Sequence, residues 1–233
     1  MRQKSNSKKF WDKEYGEGGI FNLSSEPAED LKKFLRWLYR EYRGNYLDSR
    51  SIVLDIGCGN GRNIIYLSKE FCVAGIGYDI SDEAIKKARN NSLKFPIKYE
   101  ARNISGNFPI ENESVDLVLD MMASHYLKEA ERDIYLSEIN RVLKPGGYVL
   151  FKSFLKEEDA HAKRLIKERS AGEKNAYIHP IHGSYEYVWP EDDLKLFWGK
   201  NFDIEKLERS GKHIKDGKPF KRRSVVLYLR KRY

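Results

Sequence analysis

The stretch that decides the fold is Val-Leu-Asp-Ile-Gly-Cys-Gly-Asn-Gly at positions 53–61. It begins as an apolar run that suits a buried strand and ends with three glycines at alternate positions. Glycine lets the backbone turn tightly and lets a ligand lie against it without meeting a Cβ atom. We therefore predict a buried strand over residues 52–56, a ligand-binding turn, and a helix over residues 62–69.

The spacing of the glycines separates this turn from other nucleotide-binding loops. A dinucleotide fingerprint reads Gly-x-Gly-x-x-Gly, whereas here the third glycine comes one residue early and Arg62 stands in its place. Asp55 lies two residues before the first glycine, where its charge would repel a pyrophosphate. The same charge suits a ligand that carries an ammonium and a sulfonium group. The Gly-Lys-Ser/Thr of a phosphate-binding loop is missing, which excludes that class.

Short apolar segments alternate with helical ones along most of the chain. The predicted strands cover residues 52–56, 73–78, 97–101, 115–119, 148–151, 202–207 and 224–229. The predicted helices cover residues 62–69, 128–143, 156–167 and 190–200, with two more that begin near Ser24 and Ser81. This alternation favours a doubly wound parallel sheet. The connector between the last two strands has no room for a crossover helix, so we expect that pair to be antiparallel.

Several boundaries carry their own sequence signals. Ser24-Ser25-Glu26-Pro27 is typical of a helix start, with serine as the cap and proline in the first turn, and Gly44-Asn45 predicts the end of that helix. Pro145-Gly146-Gly147 should stop the helix that precedes the fifth strand. Residues 170–189 are rich in Gly, Tyr, His and Pro, which indicates an ordered loop or insertion.

With these elements in place, residues 53–61 resemble the first motif of the class I S-adenosylmethionine (SAM)-dependent methyltransferases. Three further positions agree with that family. Asp79 closes the second strand, where the family has an acid that accepts both ribose hydroxyls. Ile80 matches the apolar residue that packs on adenine, and Asn103 follows the third strand, where the family binds the adenine amino group.

The resemblance implies a Rossmann-like α/β fold, with a mostly parallel seven-stranded sheet and an antiparallel last strand. It also implies SAM as the cofactor, with Asp55 and the glycines at its amino-acid end. The implied cofactor-binding residues are Asp55, Gly57, Cys58, Gly59, Gly61, Asp79, Ile80, Asn103, Ile104 and Met121.

The resemblance is strong over residues 51–153. Phe108-Pro109 and residues 115–118 are similar to the approach to the family's fourth strand, and residues 143–148 to the turn that enters its fifth. We expect residues 1–50 to form an N-terminal helical cap or lid, hinged at the glycines of positions 16–19. Residues 51–233 should form the SAM-binding domain, with an insertion at about 156–200.

The methyl acceptor should lie beyond the carboxyl end of the fourth strand. His125 is the candidate general base, although methyl transfer from a sulfonium needs a base only for some acceptors. The candidate substrate-binding residues are the aromatic side chains Trp11, Tyr15, Tyr126, Tyr185 and Tyr187. The family's nucleobase-amino branch has Asn/Asp-Pro-Pro-Tyr/Phe where this chain has Asp-Met-Met-Ala at 120–123, and no Pro-Cys pair of the cytosine-C5 enzymes is present. Both absences favour a small-molecule acceptor, or a protein or RNA acceptor of a less marked class.

Metal binding and redox chemistry have little support in the sequence. His179-Pro-Ile-His182 resembles a metal-binding pair, but we find no Cys, Asp or Glu beside it at ligand spacing and expect no metal. Cys58 and Cys72 are expected to be small buried side chains without a disulfide. Two cysteines suit an intracellular protein.

The 233-residue chain carries a net charge of +8, and residues 212–233 hold nine basic residues and one acidic residue. A basic segment of this kind either contacts RNA or is solvated at the surface. If the acceptor is small, we expect Arg230, Lys231 and Arg232 to be solvated. No apolar run is long enough for a membrane helix, and the basic N-terminus is not followed by a secretory signal.

We therefore expect a cytoplasmic methyltransferase with no membrane contact, acting on a small molecule. An RNA or protein acceptor recognised through the basic C-terminal segment is the first alternative. A catalytically silent SAM-binding partner subunit is the second, and a nicotinamide-dependent oxidoreductase is a distant third.

Overall fold

The computed structural model describes residues 6–17, 19, 23–44, 46–157, 159–210, 214–215, 218–219 and 222–233. Its helices are α1 (Asn6–Tyr15), α2 (Glu29–Glu41), α3 (Arg62–Phe71), α4 (Asp82–Asn91), α5 (Glu129–Val142), α6 (Ala160–Glu168) and α7 (Glu191–Gly199), with a short 3₁₀ helix at Ser124–Tyr126. Its strands are β1 (Ile52–Ile56), β2 (Ala74–Asp79), β3 (Ile97–Ala101), β4 (Val115–Met121), β5 (Leu143–Phe154), β6 (Ala176–Ile178), β7 (Tyr185–Tyr187), β8 (Phe202–Arg209), β9 (Ile214–Lys215), β10 (Lys218–Pro219) and β11 (Ser224–Lys231).

Some features predicted above lie outside the described residues. They are Gly18 of the glycine hinge, the helix-ending Asn45, and the side chains of the basic residues Lys212, Lys215, Lys218 and Lys221.

The predicted sheet is confirmed. Seven strands pair in the order β3-β2-β1-β4-β5-β11-β8. The strands from β1 to β5 pair in parallel, whereas β11 runs antiparallel to both β5 and β8. The chain leaves β1 toward β2 on one side and later adds β4 on the other, so a topological switch point lies at the carboxyl ends of β1 and β4. Ligands of open α/β sheets bind at such a point.

Alternate residues of each central strand supply the two halves of the core. Val53 and Leu117 pack toward one face together with Phe34 of α2, and Leu54 and Val118 pack toward the other. The second face includes Trp198 of α7, which is completely buried. This alternation is the two-residue period of a strand buried on both faces.

Helix α2 begins later than its sequence signal predicts. Ala28 is its N-cap residue and makes no side-chain cap, while the Ser24 hydroxyl accepts a hydrogen bond from the Glu26 N–H at 3.0 Å. The Ala28 N–H donates instead to the Asn63 side chain at 2.9 Å. The predicted serine cap is therefore wrong: α2 starts without a side-chain cap, and Asn63 of α3 bonds to the N–H of the N-cap residue instead of a first-turn N–H. Helix α2 packs in the core against one face of the sheet. Of the two helices predicted to form the N-terminal cap, only α1 remains a candidate.

The predicted end of the helix before Pro145-Gly146-Gly147 is confirmed to within one residue, but the strand that follows starts earlier than predicted. Helix α5 already ends at Val142, and β5 starts at Leu143 and runs through the three residues. Gly146 has φ +74°, and the pairing of β4 with β5 changes register between Val115 and Leu117. The proline and glycines thus mark an irregular strand start. Similarly, the region predicted as an ordered loop at 170–189 contains the hairpin formed by β6 and β7.

The basic residues near the C-terminus form internal contacts. The Lys231 ammonium donates to the Leu143 carbonyl at 2.7 Å and lies 3.3 Å from the Glu113 carboxylate. Arg232 pairs with Asp203 at 2.7 Å. The expectation that these flanking cations are merely solvated is wrong for Lys231, which is only 8% exposed.

Replacing Lys231 with glutamine is expected to lower the free energy of unfolding by about 1–3 kcal/mol, because the buried Leu143 carbonyl loses a charged donor. Urea unfolding followed by circular dichroism measures the change. Arg230→Gln is the matched control, since Arg230 bonds only to the Tyr233 hydroxyl among the contacts described. Equal stability of the two variants would contradict the structural role of Lys231.

The described part of the chain contains no helix with the length and apolar character needed to cross a membrane.

Candidate cofactor and acceptor site

A cavity of about 600 Å³ opens at the carboxyl ends of β1, β2 and β4. We call it the cofactor cavity. Most residues predicted for cofactor and substrate line it: Gly57, Cys58, Gly59, Asp79, Ile80, Asn103, Ile104, Met121, Trp11, Tyr15, Tyr126 and Tyr185. The lining does not include Asp55, Gly61, Tyr187 or His125. The glycine motif therefore contributes Gly57, Cys58 and Gly59 to the wall of the cofactor cavity, whereas Asp55 and Gly61 lie behind that wall.

The glycine turn fits closely between its neighbours. Gly57 has φ +68°, and a Cβ atom there would lie 2.6 Å from the Cβ of Ala123. Gly59 has φ +57°, and a Cβ atom there would overlap the hydroxyl of Tyr15. Left-handed backbone of this kind favours glycine, and neither position leaves space for a larger residue. The turn thus presents bare backbone to the cavity.

Asp79 connects the end of β2 to the glycine turn. One oxygen of its carboxylate accepts the Gly59 N–H at 2.9 Å, and the other accepts the Ser81 N–H at 2.9 Å. Burial raises the pKa of Asp79, and these backbone donors oppose the increase. Because each carboxylate oxygen keeps a second lone pair, Asp79 can still accept hydrogen bonds from a ligand in the cavity.

Asp55 lies behind the glycine turn and is 1% exposed. Its Oδ2 atom has no hydrogen-bond partner among the described residues. Burial, followed by the charge of Asp79, raises the pKa of Asp55 to about 8. A buried carboxyl with a free oxygen beside a cavity is a group that a nearby cation would stabilise in its ionised form.

The raised pKa of Asp55 predicts a pH-dependent stability. An acid whose folded-state pKa lies above its unfolded value of about 3.9 makes the folded state less stable as pH rises between those values. We expect the unfolding free energy of the wild type to fall by about 2–4 kcal/mol relative to Asp55→Asn between pH 5 and pH 8. Denaturant unfolding of both proteins at each pH measures this. Parallel pH profiles would show that the carboxyl is ionised throughout.

Helix α1 covers the cofactor cavity from above. The Lys8 ammonium contacts the Asp82 carboxylate at 2.6 Å, and the Ser81 hydroxyl donates to the Asp12 carboxylate at 2.8 Å. Both contacts attach α1 to the N-terminus of α4. These contacts place Tyr15 over Gly59. Burial raises the pKa of the Tyr15 hydroxyl, and the negative charge of Asp79 raises it further.

Some lining residues lie close in sequence to the predicted motifs but were missed. They include Arg62, Asn63, Arg102, Lys128 and Glu131. Arg62 and Asn63 follow the glycine turn directly, so their position was a usable signal. Glu131 lies in the first turn of α5, and nothing local in the sequence indicates that this turn faces the cavity.

A second cavity of about 280 Å³ lies beside the first. We call it the histidine chamber. Its polar lining residues are His125, His161, His179, His182, Glu186 and Arg222, and its other lining residues are Phe10, Trp11, Met122, Tyr126 and Phe154. Trp11, Met122 and Tyr126 line both cavities. His161, Glu186 and Arg222 were not predicted, because they come from α6, β7 and the segment before β11.

His125 faces the histidine chamber. It is 3% exposed, and burial lowers its pKa to about 4 despite the opposing charge of Glu186. Its ring is therefore neutral at physiological pH. The Nδ1 atom of His125 has no hydrogen-bond partner among the described residues.

Glu186 follows His182 by four residues, so the prediction that no acid lies at ligand spacing from the two histidines is wrong. Ligand atoms of His179, His182 and Glu186 lie within 4.8 Å of one another. The His182 Nε2 atom is 3.3 Å from Glu186, and the His179 and His182 rings stack with centroids 3.8 Å apart. Burial would raise the pKa of Glu186, but the hydrogen bond from His182 and the neighbouring His125 hold it at about 2. An acid is thus present at ligand spacing after all.

The two cysteines differ from each other. Cys58 is buried in the glycine turn, and burial raises the pKa of its thiol. Cys72 is exposed, which corrects the prediction that both are buried. Cys72 has φ +59° as the C-cap residue of α3, a position that turns its side chain away from the core.

The sheet order, the switch point and the glycine turn below the cofactor cavity together define a class I methyltransferase fold. Residues 53–147 match the sequence model of the methyltransferase domain family. The chain superimposes on the crystal structure of a SAM-dependent methyltransferase from Methanosarcina mazei with a TM-score of 0.67 and 22% identity, covering 82% of this chain and 97% of that chain.

Two curated relatives illustrate the range of the sequence similarity. The chain is 36% identical over 138 residues to phthiotriol/phenolphthiotriol dimycocerosates methyltransferase 1 of Mycobacterium ulcerans, covering 59% of this chain and 50% of that protein. It is 26% identical over 216 residues to tRNA(Thr) (cytosine(32)-N(3))-methyltransferase of Saccharomyces cerevisiae, covering 86% of this chain and 32% of that protein. The chain spans about half the length of the first curated relatives that it matches.

Residues 53–147 match the methyltransferase domain family, and the fold is that of the class I SAM-dependent methyltransferases, as the motif resemblance predicted; SAM is the cofactor of that class. The structure fits this cofactor in two respects. Gly57 and Gly59 line the cavity with bare backbone, and no side chain fits there because Ala123 and Tyr15 pack against the turn. The unpartnered oxygen of Asp55 lies behind that turn, where a cationic group would stabilise its charge.

Proposed function

We propose that this chain transfers the methyl group of SAM to a small-molecule acceptor. The observation that carries the proposal is the shared wall of Trp11, Met122 and Tyr126 between the cofactor cavity and the histidine chamber. A compartment of about 280 Å³ is small beside the roughly 300–1,000 Å³ of drug-sized ligand sites. It therefore suits a compact acceptor held next to the cofactor.

The residues of the cofactor cavity divide the work of binding. Asp79 accepts the ribose hydroxyls, and Asn103 binds the adenine amino group between Ile80 and Ile104. The backbone of Gly57 and Gly59 lies against the amino-acid end, with the charge of Asp55 behind it. Tyr15 and the rest of α1 exclude water from above. The bound cofactor supplies an activated methyl group, so positioning of the acceptor is the main task left to the protein.

An RNA acceptor is the second candidate, and one observation favours it. The relatives that are named as tRNA methyltransferases align with 84–86% of this chain, beyond the matched methyltransferase domain. The C-terminal contacts favour the small molecule instead. Lys231 and Arg232 are already paired with Glu113 and Asp203, which makes these two cations less available to phosphates.

Incubation of the protein with methyl-labelled SAM and fractionated cell extract tests the proposal. We expect label in low-molecular-weight compounds. Label in RNA, with an affinity that falls steeply as salt increases, would replace the proposal with the RNA alternative. Tight SAM binding without label in any fraction would identify a catalytically silent SAM-binding subunit. A cytoplasmic location is part of the proposal and is supported by two free cysteines.

A further inference from the structure

Two buried polar groups of the histidine chamber lack a partner among the described residues. One is Nδ1 of His125 and the other is Nη2 of Arg222. The remaining nitrogens of Arg222 are used: Nε donates to Asp159 at 2.9 Å and Nη1 donates to the Tyr177 hydroxyl at 2.6 Å. Buried polar groups in proteins are nearly always hydrogen-bonded, so an unpartnered donor and an unpartnered ring nitrogen on two residues that line one cavity indicate a ligand.

The charges around the chamber decide what kind of ligand this is. Arg222 is cationic, Asp159 and Glu186 are anionic, and His125 is neutral because burial lowers its pKa to about 4. A further anion would therefore add to an existing negative excess. The Glu186 carboxylate accepts from His182 and from the Tyr177 hydroxyl, and the Arg222 guanidinium lies 3.7 Å from it, so a second cation such as an ammonium would be repelled there. A neutral hydroxyl fits best, since its oxygen can accept from Arg222 while its proton is donated to His125.

The walls of the chamber indicate an aromatic body for that ligand. The Phe154 ring lies 5.1 Å from the His125 ring, between centroids, and the Arg222 guanidinium carbon lies 4.1 Å from the Phe154 centroid. Both unpartnered groups thus flank the same aromatic surface. Phe10, Trp11 and Tyr126 close the other sides. Aromatic walls of this kind favour a planar ring in offset or edge contact.

We propose that the histidine chamber binds a compact phenol and that its hydroxyl oxygen is the methylated atom. This inference rests on the proposed function and names its substrate class. In the reaction, a bond forms between the phenol oxygen and the methyl carbon while the carbon–sulfur bond breaks, and its electron pair stays on the sulfur. The phenolic proton passes to Nδ1 of His125, and Arg222 stabilises the negative charge that develops on the oxygen.

The stacked histidines argue against a metal ion as the occupant. Backbone N–H groups of Ile181 and Ser184 donate to Nδ1 of His179 and His182, each at 3.3 Å. In the neutral rings, the proton is therefore on Nε2, and His182 donates it to Glu186. A ring that carries its proton on Nε2 has no lone pair there for a metal.

The test uses the full chain, labelled SAM and a panel of defined probes at equal concentration. Catechol, 4-nitrophenol and 1-naphthol are the phenols, and cyclohexanol, benzylamine and benzoate are the controls of other chemistry. We expect label in the phenols, recovered as aryl methyl ethers. Methylation of the amine or the carboxylate but not of the phenols overturns the inference, as does labelling of extract compounds while every phenol stays unlabelled. No label in any probe or fraction would contradict the proposed function itself.

A variant separates proton transfer from structural effects. His125→Asn should lower kcat on the best phenol about 100-fold, within the usual range for loss of a general base. The pKa of His125 depends on four neighbouring groups, so the pH dependence of the wild-type rate reflects all of them. They are Glu186, Arg222, His179 and His182. We expect the rate of the variant to rise with pH as the phenol ionises, while the wild-type rate is nearly constant from pH 6 to pH 8. Unchanged kcat in a folded variant overturns the role of His125.

Two controls complete the design. Affinity for SAM should change less than twofold in His125→Asn, because this residue does not line the cofactor cavity. Arg222→Lys should raise KM for the phenol. Its control is Arg164→Met, which removes an exposed arginine of α6 and should leave turnover unchanged. Titration with Zn²⁺ alone gives the remaining outcome: stoichiometric binding that is lost in His182→Ala would assign the chamber to a metal and overturn the inference.

Discussion

Replacing Asp79 with alanine is expected to weaken SAM binding about tenfold or more, because each hydrogen bond from a hydroxyl to a charged carboxylate contributes about 1.5–3 kcal/mol. The variant also leaves the Gly59 N–H without its acceptor, so the glycine turn itself loses a support. Isothermal titration calorimetry with SAM measures the change.

Glu83→Ala is the matched control for this prediction. Glu83 is also acidic and near the start of α4, but it faces solvent and pairs only weakly with Lys86 at 3.9 Å. SAM affinity should be unchanged in that control. If Asp79→Ala is folded by circular dichroism and binds SAM as tightly as the wild type, the assignment of the ribose site to Asp79 is wrong.

The second large effect concerns Asp120 at the end of β4, which is completely buried. Its carboxylate accepts the Tyr135 hydroxyl at 2.8 Å and the N–H groups of Ala123 and Ser124 at 3.1 and 3.2 Å. Asp120→Ala should lower the unfolding free energy by about 3–5 kcal/mol, because each buried donor left without a partner costs about 1–3 kcal/mol. Urea unfolding measures the loss.

Methyl transfer should fall with stability in Asp120→Ala, since the segment held by Asp120 carries Ala123 against the glycine turn. Asp120→Asn keeps one oxygen acceptor and should lose less than the alanine variant. Asp133→Ala on the exposed side of α5 should have almost no effect. Equal stabilities for Asp120→Ala and Asp133→Ala would show that the network contributes nothing.

The parts of the molecule that the sequence predicts well are those set by local motifs. The glycine turn, Asp79 and Asn103 lie at strand ends, and parallel strands bring their carboxyl ends to one edge. Their meeting in the cofactor cavity follows from strand order alone. Asp55 belongs to the same motif but lies behind the wall, because a strand alternates its side chains between two faces.

The sequence predicted His125, Trp11 and Tyr126 for the acceptor site, but the other polar residues of the histidine chamber could not be predicted, for a physical reason. Arg222 reaches Asp159 across 63 residues of sequence, and His125 meets the hairpin of β6 and β7 through tertiary packing. No periodicity in the chain marks such contacts. The start of α2 was misplaced for a similar reason, since the N–H of its N-cap residue Ala28 bonds to Asn63 of another helix. Local signals fail where a distant residue supplies the partner.

The position of Trp11 on α1 has a kinetic consequence. The same helix that covers the glycine turn supplies a wall of the histidine chamber, so we propose that any displacement of α1 during cofactor exchange also opens the histidine chamber. The acceptor then lacks a complete binding surface until the cofactor is in place. Initial-rate measurements should therefore follow a compulsory order, with SAM binding first and the demethylated cofactor leaving last. Dead-end inhibition by a phenol analogue should be uncompetitive against SAM.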